Sequence, residues 1–211
     1  MRSKTLSLMT EDEIKDKYER MARWYDLTDA FYEHLNVKKL RTRLGLKVKG
    51  KVLEVAVGTG KNLAHYPNDI DITAVDISPA MINQARLKAS KLGMNVSFQI
   101  MNGEKLDFPD NSFDTVVSTL SACTLLKPEE VYRELARVCR KEGKILLIEH
   151  GRSSNLFLSW FQDAFAEFYY RNFACLWNRN PLDAIISAGL NISKCEKSLV
   201  GIFNLIEAQK G

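Results

Sequence analysis

LEVAVGTGKN, Leu53 to Asn62, is the stretch on which the fold turns. An apolar run ends in a glycine-rich bend, the form taken where a parallel strand hands over to a helix and a nucleotide meets the backbone. A dinucleotide clasp wants G-x-G-x-x-G, whose later glycines seat a pyrophosphate on a helix N-terminus. Here Gly58 and Gly60 are followed by Leu63 where the last glycine should fall, and Ala56 stands before them. The phosphate loop G-x-x-x-x-G-K-[ST] is absent as well. The bend therefore suits a ligand that approaches the backbone closely and carries no phosphate.

Outward from it, strands and helices alternate. Thr10 and Glu13 form a capping box that opens a helix from Glu11 to about Tyr25, and a second helix is expected from Asp29 to Leu44. Strands are predicted over Lys51–Val57, DITAVDI (71–77), NVSFQIM (95–101), FDTVVST (113–119) and GKILLIEH (143–150). Ser78 and Pro79 open a helix that Gly93 closes, and Pro128 opens one running towards Arg140. After His150 apolar residues recur at helical spacing from Leu156 to Tyr169, and Asn180 with Pro181 starts a helix closed by Gly189. NISKCEKSL and IFNLIEAQ then read as a hairpin about Gly201. The expected fold is a doubly wound α/β one: a seven-stranded, mostly parallel sheet with helices on both faces and an antiparallel last strand. One domain, 1–211, is expected, with N-terminal helices (1–50) capping the site, a cofactor-binding core (51–150) and an acceptor side (151–211).

Composition limits what such a chain does. With 45% hydrophobic and 27% charged residues it buries an ordinary globular core. Cys123, Cys139, Cys175 and Cys195 are scattered, and His34, His65 and His150 lie far apart, so neither a disulfide framework nor a metal site is expected. A reducing cytoplasm is the default. The N-terminus turns acidic before any apolar stretch, and Asp163, Glu167 and Arg171 interrupt the most apolar late segment, so neither a signal peptide nor a membrane span is expected. The first fifty residues carry twelve Lys and Arg against eight Asp and Glu, the whole net charge of +4. The run Lys38–Lys51 has no acid in it, and reads as a solvated face or as a patch for anionic lipid headgroups or nucleic acid.

Two carboxylates narrow the ligand. Asp76 ends the second strand, where an acid accepts hydrogen bonds from a ribose hydroxyl pair. Glu54 lies four residues before Gly58, where a cation near the bend would find a negative partner. S-adenosylmethionine has a ribose, a sulfonium and an ammonium, and no phosphate.

VLEVAVGTG, AVDISPAMI, MNGEKLDFPDNSFDTVVS and ELARVCRKEGKILLIEH resemble the successive motifs of the class I S-adenosylmethionine-dependent methyltransferases, over nearly the whole chain from Tyr18. VGTGKNLAHYP is similar to the small phospholipid (phosphatidylethanolamine) N-methyltransferases; the layout is also similar to the ubiquinone/menaquinone C-methyltransferases and to animal thiol methyltransferases. The resemblance implies that Glu54, Ala56, Gly58 and Gly60 hold the methionine end of the cofactor, and that Asp76 takes the ribose. Ile77 and Met81 would lie against the adenine, Asn102 and Gly103 at its edge, and Ser118 below the sulfonium. Ala56 departs from a usual glycine, Asn102 from a common aspartate, and Lys141-Glu142-Gly143 from the usual PGG.

Methyl transfer from a sulfonium is an in-line displacement of an activated group, so alignment and water exclusion can carry it and the sequence need not announce the acceptor. Tyr25 is a candidate for capping the cofactor and touching the acceptor, against a plain core aromatic. His150, ending the fifth strand, is the candidate general base, against a structural imidazole. Arg152 stands as an anion binder against a solvated arginine, and Cys123 as a pocket residue against a small buried hydrophobe. The aromatic stripe from Trp160 to Phe173 reads as core, or as a lid over an apolar acceptor. With the basic run, it makes a phospholipid amine the leading acceptor, with peripheral contact to anionic membrane. A thiol, a quinone ring, or cofactor binding without turnover are the alternatives. A nucleic-acid substrate is not expected, because no N-P-P-Y tetrad follows the fourth strand.

Overall fold

The computed structural model describes residues 8–28 and 33–211. Helices α1 (Glu11–Met21) and α2 (Tyr25–Thr28) are followed by a π-helical turn (Glu33–Val37) and α3 (Lys38–Gly45). Strands β1 (Lys51–Val55), β2 (Asp71–Asp76), β3 (Val96–Ile100), β4 (Phe113–Thr119) and β5 (Cys139–His150) come next. Helix α4 (Pro79–Leu92) joins β2 to β3, and α5 (Pro128–Val138) joins β4 to β5. Helices α6 (Leu156–Phe173) and α7 (Pro181–Ser187) precede the hairpin β6 (Leu190–Ser198) and β7 (Phe203–Lys210).

The seven strands lie in the order β3-β2-β1-β4-β5-β7-β6. β1 to β5 are parallel, and β7 inserts antiparallel to both β5 and β6. Alternation along β5 divides the core. Ile145 and Leu147 face Val131, Leu135 and Ile185 of α5 and α7, while Leu146 and Ile148 face Leu40 and Leu44 of α3.

The capping box forms as expected, Thr10 N–H donating to Glu13 Oε2 at 2.7 Å and Glu13 N–H to Thr10 Oγ1 at 3.3 Å. Several boundaries differ, among them the fifth strand, which starts at Cys139 rather than Gly143. The first helix stops at Met21 and resumes at Tyr25. Of the expected second helix, 29–32 lie outside the described residues, and Asn36 at φ +114° puts a kink ahead of α3. The first strand ends at Val55, not Val57, because Ala56 adopts φ +56° and turns the chain off the sheet. The order reverses between β1 and β4, which opens a crevice at the carboxyl ends of the strands.

Candidate active site

The crevice at that reversal holds a cavity lined by Tyr25, Ala56, Gly58, Asp76, Ile77, Met81, Asn102, Gly103 and Ser118, nine of the eleven residues expected around a cofactor. The bend that forms its wall runs through three left-handed residues, Ala56, Gly58 (φ +56°) and Gly60 (φ +76°). A Cβ added to Gly58 would meet nothing within 4 Å and would project into open space, so a ligand can lie against the bare backbone there. A Cβ at Gly60 would stand 2.9 Å from Leu63 and 3.2 Å from Ala85, so this glycine serves the packing of α4 against the bend and does not line the cavity.

Asp76 locks the bend to β2. Its Oδ2 accepts from Gly58 N–H at 2.8 Å and its Oδ1 from Ser78 N–H at 3.0 Å. Burial raises its pKa against the backbone donors of Ser78, Gly58 and Ile77. Each carboxylate oxygen keeps a further lone pair for a ribose hydroxyl. Asn102 lines the cavity too, with Oδ1 accepting from Glu104 N–H and Nδ2 donating to Glu11 Oε2 at 3.0 Å, so it also ties α1 over the opening. Thr59 does the same for α2, donating to Asp26 Oδ1 at 2.6 Å. Tyr25 has the Lys61 ammonium 5.6 Å above its ring.

Glu54 corrects the expectation for it. Its side chain points behind the bend, where Asn62 Nδ2 donates to Oε1 at 2.8 Å and Tyr66 OH to Oε2 at 2.9 Å. It is buried and does not line the cavity, and desolvation pushes its carboxyl up to about 7. Arg41 is the residue that the charge pattern concealed. Placed in the basic run, it is 4% exposed, lines the same cavity, and donates to Asn62 Oδ1 at 2.7 Å, Thr119 Oγ1 at 3.0 Å and Glu33 Oε1 at 2.9 Å. Leu40 and Leu44 on the buried side of α3 carry the spacing that betrays it. The rest of that run is partly neutralised, with Arg43 paired to Glu196 and Lys47 to Glu207.

A second cavity adjoins the first through Tyr18, Tyr25 and Leu120. Cys123 and His150 line it, joined by Gln162, Tyr169 and Phe173 of α6 and by Cys175 and Trp177 beyond it. Leu120 bends the chain between the cavities at φ +54°. The loop it starts is held by Glu149, which accepts from Ser121 and Ala122 N–H at 3.1 and 3.2 Å. Burial pushes that carboxyl up to about 7. An acid inside the apolar run ILLIEH was its only sequence signal. Ser118 reaches Ser121 Oγ at 2.8 Å. His150 Nε2 stands 3.2 Å from Cys175 Sγ; burial lowers its pKa, but Cys123 and Glu149 outweigh it and hold the ring above its ordinary value. Arg152 lines neither cavity: it is exposed and paired with Asp163 at 2.8 Å, so the anion-binding expectation finds no site.

Residues 53–147 match the family described as Methyltransferase domain. The phosphatidylethanolamine N-methyltransferase of Cereibacter sphaeroides is 36% identical over 145 residues, 67% of this chain and 70% of that protein. The ubiquinone/menaquinone biosynthesis C-methyltransferase UbiE of Pseudomonas syringae pv. syringae is 27% identical over 165 residues, 74% of this chain; the chain spans 64% of that protein's length. Among solved structures, a possible histamine N-methyltransferase from Thermotoga maritima superposes with a TM-score of 0.70 at 23% identity, over 93% of this chain and 99% of that one. The [4+2]-cyclase SpnF superposes with 0.73 at 15%, over 97% and 98%, a likeness of fold alone. Because the bare bend, the carboxylate of Asp76 and the similarity to the phosphatidylethanolamine enzyme agree, the chain belongs to the class I S-adenosylmethionine-dependent methyltransferases.

Proposed function

We propose that the methyl acceptor is the amine headgroup of a phospholipid. One observation carries this reading: α6 lines the acceptor cavity with Tyr169 and Phe173 while presenting Leu156, Phe157, Trp160 and Phe168 to solvent. The same helix thus joins the cavity to an apolar surface that suits the headgroup boundary of a bilayer. The similarity to a phosphatidylethanolamine N-methyltransferase supports it. The cofactor supplies an electrophilic methyl group. This chain's part is to lay the ribose on Asp76, keep the bend open at Gly58, shut out water with α1 and α2, and bring the amine through the opening between Tyr18, Tyr25 and Leu120. His150, Tyr25 and Cys123 are the acceptor's contacts on this reading. A quinol ring is the second reading, favoured by His150 lying within the same cavity where a ring hydroxyl would meet it.

Incubating the protein with labelled S-adenosylmethionine and a panel of phospholipids, quinols and alkyl thiols tests this. Label in the phosphatidylethanolamine fraction is expected; label confined to quinols or thiols would overturn the lipid reading.

A further inference from the structure

Cys123, His150 and Cys175 come from three separate segments: the loop after β4, the end of β5 and the turn after α6. Their ligand atoms all lie within 4.8 Å of one another. We propose that they form a binding site for one thiophilic divalent cation, Zn2+ by its donor set, on the wall of the acceptor cavity.

Two sulfurs and an imidazole nitrogen make a three-ligand zinc site with a fourth position left open. Tetrahedral ligands at ordinary Zn–S and Zn–N lengths stand roughly 3.5–3.8 Å apart. Cys175 Sγ and His150 Nε2 already approach to 3.2 Å, so rotations that move an atom by about 1 Å close the set. The Trp177 backbone is a further polar neighbour of the imidazole, the kind of outer contact that orients a ligating histidine. Oxygen donors are missing from the set. The nearby Glu149 carboxylate is engaged by Ser121, Ala122 and Tyr132, which disfavours Mg2+ and Ca2+ and favours a softer ion. The fourth side faces the cavity bounded by Tyr18, Tyr25 and Leu120, so the open position would meet whatever small molecule enters there. Loading the site releases the thiol protons. The proposal does not depend on which acceptor the enzyme uses, since its readout is the ion itself.

The full chain, stripped of metal and kept in a non-thiol reductant, is titrated with Zn2+ against a chromophoric chelator and separately with Co2+. One equivalent of Zn2+ at a Kd of about 1 µM or tighter is expected. The Co2+ form should show sulfur-to-cobalt charge-transfer absorption in the near ultraviolet. Cys175→Ser and His150→Gln should each lose at least tenfold in affinity, and Cys195→Ser, in the β6 strand, none. S-adenosylhomocysteine binding by every variant reports that it is folded. Absence of uptake by the unmutated chain, a cobalt spectrum without the sulfur band, or affinity unchanged in Cys175→Ser would overturn the site. Loss of phospholipid labelling alone would bear on the acceptor only.

Discussion

Ala56 is held at φ +56°, a conformation that costs a residue with a Cβ about 1–2 kcal/mol, at the place where the resemblance to the methyltransferases leads one to expect glycine. Replacing it by glycine relieves that strain and returns about 0.4–1 kcal/mol to the more flexible unfolded chain. Ala56→Gly should therefore raise unfolding free energy by about 0.5–1 kcal/mol, read as a higher urea midpoint at unchanged slope; a lower midpoint would contradict it. Glu54 contributes, beside Glu149, to the pH dependence. Its carboxyl is raised from 4.5 to about 7 by burial, so the folded chain holds the proton more tightly than the unfolded one. The resulting stabilisation is complete below pH 4.5 and is lost as pH rises through 7, up to about 3 kcal/mol. Glu54→Gln keeps an acceptor for Asn62 and removes the titration. Its unfolding free energy should fall less between pH 5 and 8 than that of the unmutated protein; equal slopes would refute the assignment. The carboxylates at 54 and 76 were both visible as acids near a glycine turn. Which one faces the ligand was not, because the direction of a side chain at a strand end follows from pleat and packing rather than spacing.

Helix α6 shows how an element can be legible and its orientation not. Period and Asn155 as N-cap locate it, Asn155 Oδ1 accepting from Phe157 and Leu158 N–H at 3.1 Å. The aromatic stripe reads as core or as a lid; Leu156 is 84% exposed and Trp160 62%, while Tyr169 and Phe173 line the second cavity. The buried side is instead Ser159, Gln162 and Tyr170. Gln162 explains this, accepting from Ser153 N–H at 2.7 Å and donating to the Gly151 and Trp177 carbonyls at 3.0 and 3.1 Å. Among the described residues, no helix is long and apolar enough to cross a membrane. Phe157→Ser with Trp160→Ser should change stability by no more than about 0.5 kcal/mol, because these rings bury little area on folding. Co-sedimentation with anionic vesicles at low salt should drop in the same variant. Unchanged sedimentation would remove α6 as the contact face.

The whole molecule is organised so that two cavities meet at Tyr18, Tyr25 and Leu120, with the first closed over by α1 and α2 through Glu11–Asn102 and Asp26–Thr59. A ligand that fills the first cavity binds only the folded chain. At a concentration one hundred times its Kd, S-adenosylhomocysteine should stabilise the protein by about 2.7 kcal/mol. For a domain of this size that is a rise of roughly 5–10 °C in Tm, measurable by calorimetry. NAD at the same concentration should give no rise, since the bend lacks the last glycine of a pyrophosphate seat. A rise with NAD and none with S-adenosylhomocysteine would reverse the cofactor assignment.

The sequence by itself determined a seven-stranded, mostly parallel sheet with an antiparallel last strand, the bend at Ala56–Gly60 and the nucleoside that suits it. These depend on local periodicity and on glycine's freedom at positive φ, both of which are carried by neighbouring residues. Only the tertiary structure decided that Glu54 sits behind the bend, that α6 shows its aromatics to solvent, and that Cys123, His150 and Cys175 converge. Each of these depends on which faces of distant segments meet, and that is fixed by competition among all the packing arrangements of the chain, so no spacing within one segment encodes it.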